Sequence, residues 1–550
     1  MSRHAALLRG AALAALLALA AGPAGAAERP AKARKVNAPA ATTLPAGTKL
    51  DSRALARHID QALDARLQAE QVRPSPRADD AEFLRRIYLD VTGRIPPADK
   101  AVAFLADRDP NKRAKLIDEQ LDGPEYGKHQ ADVWQALLLP RNSDNRRLVQ
   151  FYPNMVRWLE DGFNSNKPWD KLVHDLVTAS GPVDKNGAVV YYLANPTPDK
   201  VTDNLTRVFL GVQLQCAQCH NHPFTDWKQT EYWGMAAFFT KVRTNGRPNQ
   251  VIRNGGTLSI SENGPGRPAR LPVSAKVVPA KFLQGAQANL GPRQPARPAL
   301  ADWMTRPDNP FFARAMVNRT WAQFFGRGIV NPVDDMHDGN VPSHPELLAD
   351  LSRQFAAGGF DLKYLVRAIC NSRAYQRTSK PYANNADASP DLFARMAVKV
   401  LTPEQMYDSL TRVLGAPGRP AARQGKKAQA AAGAARRLAG GPRAAFIAFF
   451  GVADGAADPT EYQAGIPQAL RLMNSPQLNN AAMLNPLLRA DKTPAQIVDH
   501  LYVATLSRHP TGQERGRCVG YVSKHRGEAR QAYADVLWAL LNSSEFTLNH

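Results

Sequence analysis

The chain has 550 residues, 44% of them hydrophobic and 22% charged, with a formal net charge of +21. That hydrophobic content supports packed cores and excludes a disordered chain, and the length predicts more than one domain. The basic excess would suit nucleic acid, an anionic surface or an acidic protein, or would simply keep the protein soluble.

The first stretch, MSRHAALLRGAALAALLALAAGPAGAAERP, decides among these. It has Arg3 and Arg9 at its start, an apolar run from Ala11 to Ala21 too short to span a bilayer, and Ala24-Gly25-Ala26 as a small-residue cleavage pattern. We read residues 1–26 as a signal peptide cut before Ala27, so the expected location is periplasmic or extracellular, with no transmembrane segment. Losing Arg3 and Arg9 lowers the charge from +21 to +19. Export argues against nucleic acid and for an envelope protein as partner; oligomeric state stays open.

The expected fold is mainly α: two helical domains with a small β-rich or irregular insert between them. Residues 27–50 are an Ala/Pro/Lys-rich flexible lead-in. Helical periodicity over 51–240 predicts the first domain. Thr197-Pro198-Asp199 starts a helix whose apolar stripe runs through Val201, Leu205, Val208 and Val212 into Cys216 and Cys219, with Pro223 as its stop. Residues 241–295 are Gly/Pro/Asn-rich with two strand-like runs, 257–260 and 275–278. Helical pattern resumes over 296–550, interrupted by a basic low-complexity linker at 416–445.

An internal repeat is also legible. IYLDVTGRIP (87–96) parallels LYVATLSRHP (501–510), and LDGPEY (121–126) parallels LNSSEF (541–546). A partial third copy opens at PSHPE (342–346) and closes at CNSRAY (370–375). These predict a duplicated helix pair whose second helix ends in a polar turn and an aromatic plug, with the second domain docking through these ends.

QCAQCHNHPF (215–224) carries the chemistry. Cys-x-x-Cys-His places two thiols to add across porphyrin vinyls and a histidine to bind iron from one face. On this reading Cys216 and Cys219 hold haem c and His220 is the proximal ligand. Phe209, Phe224, Trp227, Tyr232, Trp233, Phe238 and Phe239 are the expected apolar box, and Met235, Met304, Met316, Met336 and His337 are candidate sixth ligands. His222 lies too near His220 in sequence to reach the opposite face. Two alternatives stay open: a zinc knuckle that includes His222, or a Cys216–Cys219 disulfide with no cofactor. Cys370 and Cys518 read as packed core thiols, or as a pair with each other.

Asp334, Asp335, His337 and Asp338 could bind a cation or act as acid and base. The plainer reading is an acidic loop capping the helix near Pro345 and pairing with Arg319 or Arg327. There is no nucleophile elbow, phosphate-binding glycine loop or HExxH, which argues against an ordinary hydrolase or nucleotide enzyme.

LRRIYLDVTGRIPPADKAVAFL, LIDEQLDGPEYGKHQADVW and FLGVQLQCAQCHNHPFTDW resemble the planctomycete-type cytochrome-like domain, domain of unknown function 1549. NPFFARAMVNRTWAQFFGRGIVNPVDDMHDGNVPSHPELL, FDLKYLVRAICNSRAYQ, PQALRLMNSP and LYVATLSRHPTGQE resemble its usual partner, domain of unknown function 1553. The resemblance implies an exported, largely helical protein, called cytochrome-like for the motif that is here Cys216, Cys219 and His220. Asn221 replaces a frequent aspartate, and His337 and His344 replace a usual arginine and asparagine.

The functional expectation is therefore an exported haem c protein with an electron-transfer or redox role. The alternatives are a non-haem scaffold with a metal or disulfide staple, or an oxidoreductase acting through five-coordinate haem.

Overall fold

The computed structural model describes residues 49–140, 148–246, 257–262, 266–268, 271–291, 293–415, 441–450 and 483–550. The expected signal peptide, the lead-in up to residue 48, the linker up to residue 440 and PQALRLMNSP lie outside the described residues.

The described chain is mainly α. The first half holds α1 (Ser52–Ala69), α2 (Asp80–Thr92), α3 (Ala98–Ala106), α4 (Lys112–Asp122), α5 (Pro124–Leu138), α6 (Tyr152–Asn164), α7 (Trp169–Val177), α8 (Val190–Ala194), α9 (Pro198–Leu210) and α10 (Gln229–Ala236). The second half holds α11 (Arg297–Met304), α12 (Phe312–Phe325), α13 (Pro345–Ala357), α14 (Leu362–Asn371), α15 (Pro403–Leu414) and α16 (Pro442–Phe450). It continues through α17 (Leu484–Arg489), α18 (Pro494–Leu506), α19 (Gly512–Lys524), α20 (Ala529–Leu541) and α21 (Ser544–Thr547). Starts follow local chemistry. Asp51, Asp79 and Asp361 accept from backbone N–H groups at the heads of α1, α2 and α14. Thr402, Thr493 and Thr511 form reciprocal caps with Gln405, Gln496 and Glu514.

The expected insert is real but smaller than its pattern suggests. β1 (Gly181–Pro182), β2 (Val242–Asn245), β3 (Ser259–Glu262) and β4 (Arg267–Pro268) form an antiparallel sheet in the order β1-β3-β2-β4. The run 275–278 is not a strand: Pro272 and Pro279 bracket it and Val277 is fully exposed. β5 (Lys399–Val400) pairs with β6 (Leu548–Asn549).

One continuous core runs from Leu55 through Met396, so it takes side chains from both sides of the insert. A second core joins the end of α2, through Leu89 and Ile95, to α15–α21. Helix α2 is the hub, buried at every position from Glu82 to Thr92.

The repeat has a structural meaning. Helix α2 ends at Gly93 and α18 at Ser507, both left-handed, with φ 69° and 60°. The arginine after each reaches the glutamate of the matching polar turn: Arg94 pairs with Glu125, and Arg508 with Glu545 at 2.6 Å. The following aromatic, Tyr126 or Phe546, is buried. In the third copy α12 likewise ends at left-handed Gly326, and Ser372 accepts from the Tyr375 N–H as Ser543 does from Phe546. Ala374 replaces the glutamate there, and Arg327 pairs with Asp391 instead. Arg508 also holds Glu514 at 2.8 Å. Arg508→Met is expected to lower stability by about 2 kcal/mol, the worth of charge-assisted hydrogen bonds in a part-buried setting. Urea unfolding followed by circular dichroism reads this, and an unchanged midpoint would make the repeat's arginine ornamental.

The repeat ends also dock onto α2. The Arg85 guanidinium lies 5.8 Å from the Phe546 ring and donates to the Phe546 and Thr505 carbonyls. The Arg86 guanidinium lies 5.8 Å from the Tyr375 ring and donates to the Tyr375 and Arg377 carbonyls.

Candidate functional site

Helix α9 begins at Pro198 as expected, but Thr197 makes no capping bond and its hydroxyl is buried without a partner. The helix does not run through the cysteines. It stops at Leu210, and Gly211 takes a left-handed φ of 69°. The Met336 N–H donates to the Gly211 carbonyl at 2.8 Å, and a Cβ on Gly211 would sit 3.0 Å from the Met336 sulfur. Tertiary contact with the second half, together with a glycine that tolerates positive φ, ends the helix although the apolar spacing continues.

Cys216 therefore lies on a separate 3₁₀ turn, Gln215–Gln218, with Cys219 just after it. Ala217 is the turn's buried residue, while Cys216, Cys219 and His220 are exposed. Helix α10 holds the turn from below. Trp233 Nε1–H donates to the Gln218 carbonyl at 3.0 Å, and Gln229 Nε2 donates to the Gln218 and Cys219 carbonyls at 3.1 and 3.0 Å. Gln229 and Trp233 stand one helical turn apart; that i,i+4 spacing was the available signal for these anchors, and sequence reading missed their role.

The two histidines differ. His220 Nδ1–H donates to the Asn221 carbonyl at 2.6 Å, which leaves the Nε2 lone pair free. His222 Nδ1 instead accepts from the Phe224 N–H at 3.2 Å, so its proton sits on Nε2. Burial pushes the His222 pKa down; His337 and His220 add to this, while Asp335 opposes it. The Asp335–His337 loop of the second half thus faces the cysteine turn. All four cysteines are free thiols, with Cys370 and Cys518 in different cores and not paired with each other. Among the described residues no three His, Cys, Asp or Glu side chains converge as a metal site.

The acidic loop does not cap α13, whose start at His344 has no side-chain cap. Asp334 instead accepts from Arg207 and Gln213, both at 3.1 Å, with Arg319 at 3.8 Å. The expected Arg319 pairing is present, but Arg327 is engaged elsewhere.

The expected aromatic box dissolves. Phe209, Trp227, Tyr232, Trp233, Phe238 and Phe239 are buried in the main core, whereas Phe224 is 86% exposed. Phe224 borders a cleft of about 860 Å³ with Trp227, Arg314, Met336, His337 and Val341. Cys216, Cys219 and His220 do not line it; they adjoin it through residues 221–223. Of the candidate sixth ligands, Met336 and His337 reach this cleft, while Met235, Met304 and Met316 do not. Beneath the turn, the Tyr232 hydroxyl donates to Asp203 at 2.9 Å, and burial raises the Asp203 carboxyl to about 6.

Fold and site together define a helical protein that presents an exposed Cys-x-x-Cys-His turn, buttressed by an acidic loop from its second half. Residues 58–244 match the family model PSCyt2, a protein of unknown function (DUF1549), and residues 296–522 match PSD1, a protein of unknown function (DUF1553). The chain belongs to the proteins that join these two domains in this order. No curated protein and no solved structure matches it.

Proposed function

We propose that the chain is an exported protein that carries haem c on Cys216 and Cys219, with His220 as proximal ligand, and serves an electron-transfer or redox role with an envelope partner. The observation that carries this is the contrast between the two histidines. His220 offers a free Nε2 beside two exposed thiols, while His222 has Nδ1 engaged and its proton on Nε2. Haem iron needs one imidazole with a free nitrogen, which His220 supplies, whereas a four-ligand knuckle would also need His222, whose Nδ1 accepts from the Phe224 N–H and whose Nε2 carries the proton.

The donor set fits the group. Both thiols are free and reachable from solvent, as attachment requires. The Asn221 carbonyl holds the His220 ring in one tautomer and orientation, the usual outer-shell support for a ligating histidine. Bound haem would supply one-electron chemistry. Gln229 and Trp233 hold the turn's carbonyls, and exposed Phe224 offers apolar surface beside it.

The test is expression with the signal peptide in a host carrying the cytochrome c maturation system, followed by haem staining of a denaturing gel and mass measurement. The expected product begins at Ala27, stains, and loses the stain in Cys216→Ala and Cys219→Ala. An unstained product, beside a control cytochrome matured in the same cells, overturns the haem reading. Zinc analysis and thiol counting of that sample then separate a metal staple from a disulfide.

A further inference from the structure

Away from the cysteine turn, a cavity of about 390 Å³ lies where β5 and β6 meet α2, α5 and α12. It is the size of roughly thirteen waters at ~30 Å³ each. It also falls in the range of ~300–1,000 Å³ common for small-molecule sites.

Its wall contains a closed charge network. The Lys399 ammonium donates to Asp90 at 2.6 Å, and the Tyr375 hydroxyl and Asn549 Nδ2 donate to the same carboxylate at 2.8 and 2.7 Å. The other wall cations are also matched: Arg327 by Asp391 and Arg319 by Asp334. Each of these cations thus has a carboxylate within 3.8 Å.

The cavity also presents unpaired polarity. Thr320 Oγ1, Gln323 Nε2 and Asn549 Oδ1 are buried and make no hydrogen bond; Thr320 is 3% exposed and Asn549 2%. His129, 7% exposed, borders the same space with no hydrogen bond of its own, and burial favours its neutral form. Folded proteins leave few such groups, because a dry unsatisfied donor or acceptor is costly. Three around one hollow call for a molecule that completes them. Gln323 offers a donor, Asn549 an acceptor and Thr320 both. A hydroxyl group donates and accepts at one atom, so a set of hydroxyls matches this lining where an ion would not. Trp134 adds an apolar wall.

We propose that this cavity binds a small uncharged polyhydroxylated molecule of monosaccharide size. Saturation-transfer NMR on the full mature chain would use D-glucose, D-galactose and D-mannose as probes, with succinate as the anionic comparison. At least one sugar is expected to bind and succinate not to. Thr320→Val and Asn549→Leu are each expected to weaken sugar binding roughly tenfold, about the worth of one good hydrogen bond. The melting temperature of Thr320→Val should be equal to or above that of the parent, because it removes an unsatisfied buried group, whereas Asn549→Leu also loses the Nδ2 hydrogen bond to Asp90 and should melt lower. If Thr320→Val fails to fold, Gln323→Met carries the same test. No saturation transfer from any sugar, binding of succinate alone, or unchanged sugar affinity in the variants would each overturn the proposal. None of these readouts depends on haem.

Discussion

Arg86→Met is expected to destabilise the protein by about 5 kcal/mol or to prevent folding, the upper range for breaking a buried ion pair. Arg86 is 1% exposed and donates to the Tyr375 and Arg377 carbonyls at 2.9 and 2.8 Å, and to the His550 carbonyl at 3.3 Å. Its Nη2 pairs with Glu82, which also accepts from Thr378 Oγ1 at 2.6 Å and the Ser379 N–H at 2.7 Å. Removing the guanidinium strands a buried carboxylate and several carbonyls at once, at the point where α2 meets the segment after α14 and the last residue. The exposed pair Lys100–Glu119 is the control: Lys100→Met should change stability by under about 0.5 kcal/mol, as for surface ion pairs generally. Urea unfolding by circular dichroism compares the two. Equal, small changes in midpoint would refute the role of α2 as hub.

Asp203→Asn is expected to act in the opposite direction, raising stability at neutral pH by about 3 kcal/mol. The folded carboxyl titrates at about 6, against an ordinary 3.8, mainly because burial disfavours its charged form. The sign follows from proton counting. Below pH 3.8 both folded and unfolded states hold the proton. As pH rises to about 6, the unfolded chain releases it first, and each unit of that window removes about 1.4 kcal/mol of stability. Above pH 6 the loss is complete. Asparagine carries no such charge and still offers an Oδ1 to the Tyr232 hydroxyl. The stability of the variant minus that of the parent, measured by urea unfolding from pH 3.5 to 7.5, should therefore climb between pH 4 and 6 and then level off. A flat difference would mean that Asp203 is not desolvated beneath the cysteine turn.

The repeat shows how much the amino-acid pattern carries and where it falls short. Arg94, Glu125 and Tyr126 could be aligned with Arg508, Glu545 and Phe546 from spacing alone, because each turn is encoded by neighbours in sequence. That Arg85 and Arg86 clasp the plugs of the other two copies could not be seen. Those contacts join positions hundreds of residues apart, and an arginine in a helix normally reads as solvated.

The cysteine motif divides the same way. Its ligand types, its spacing and the start of α9 are local facts, and sequence by itself determined them, along with the mainly helical class and the family pair. Where α9 ends was decided by the Met336 loop packed against Gly211. Which aromatics stand near the thiols was decided by core packing, which took all but Phe224 inward. Which histidine keeps a free nitrogen was decided by the Asn221 carbonyl and the Phe224 N–H. Periodicity reports which face of a segment is apolar. Only the tertiary structure says what that face meets, because burial and hydrogen-bond partners come from residues distant in the chain.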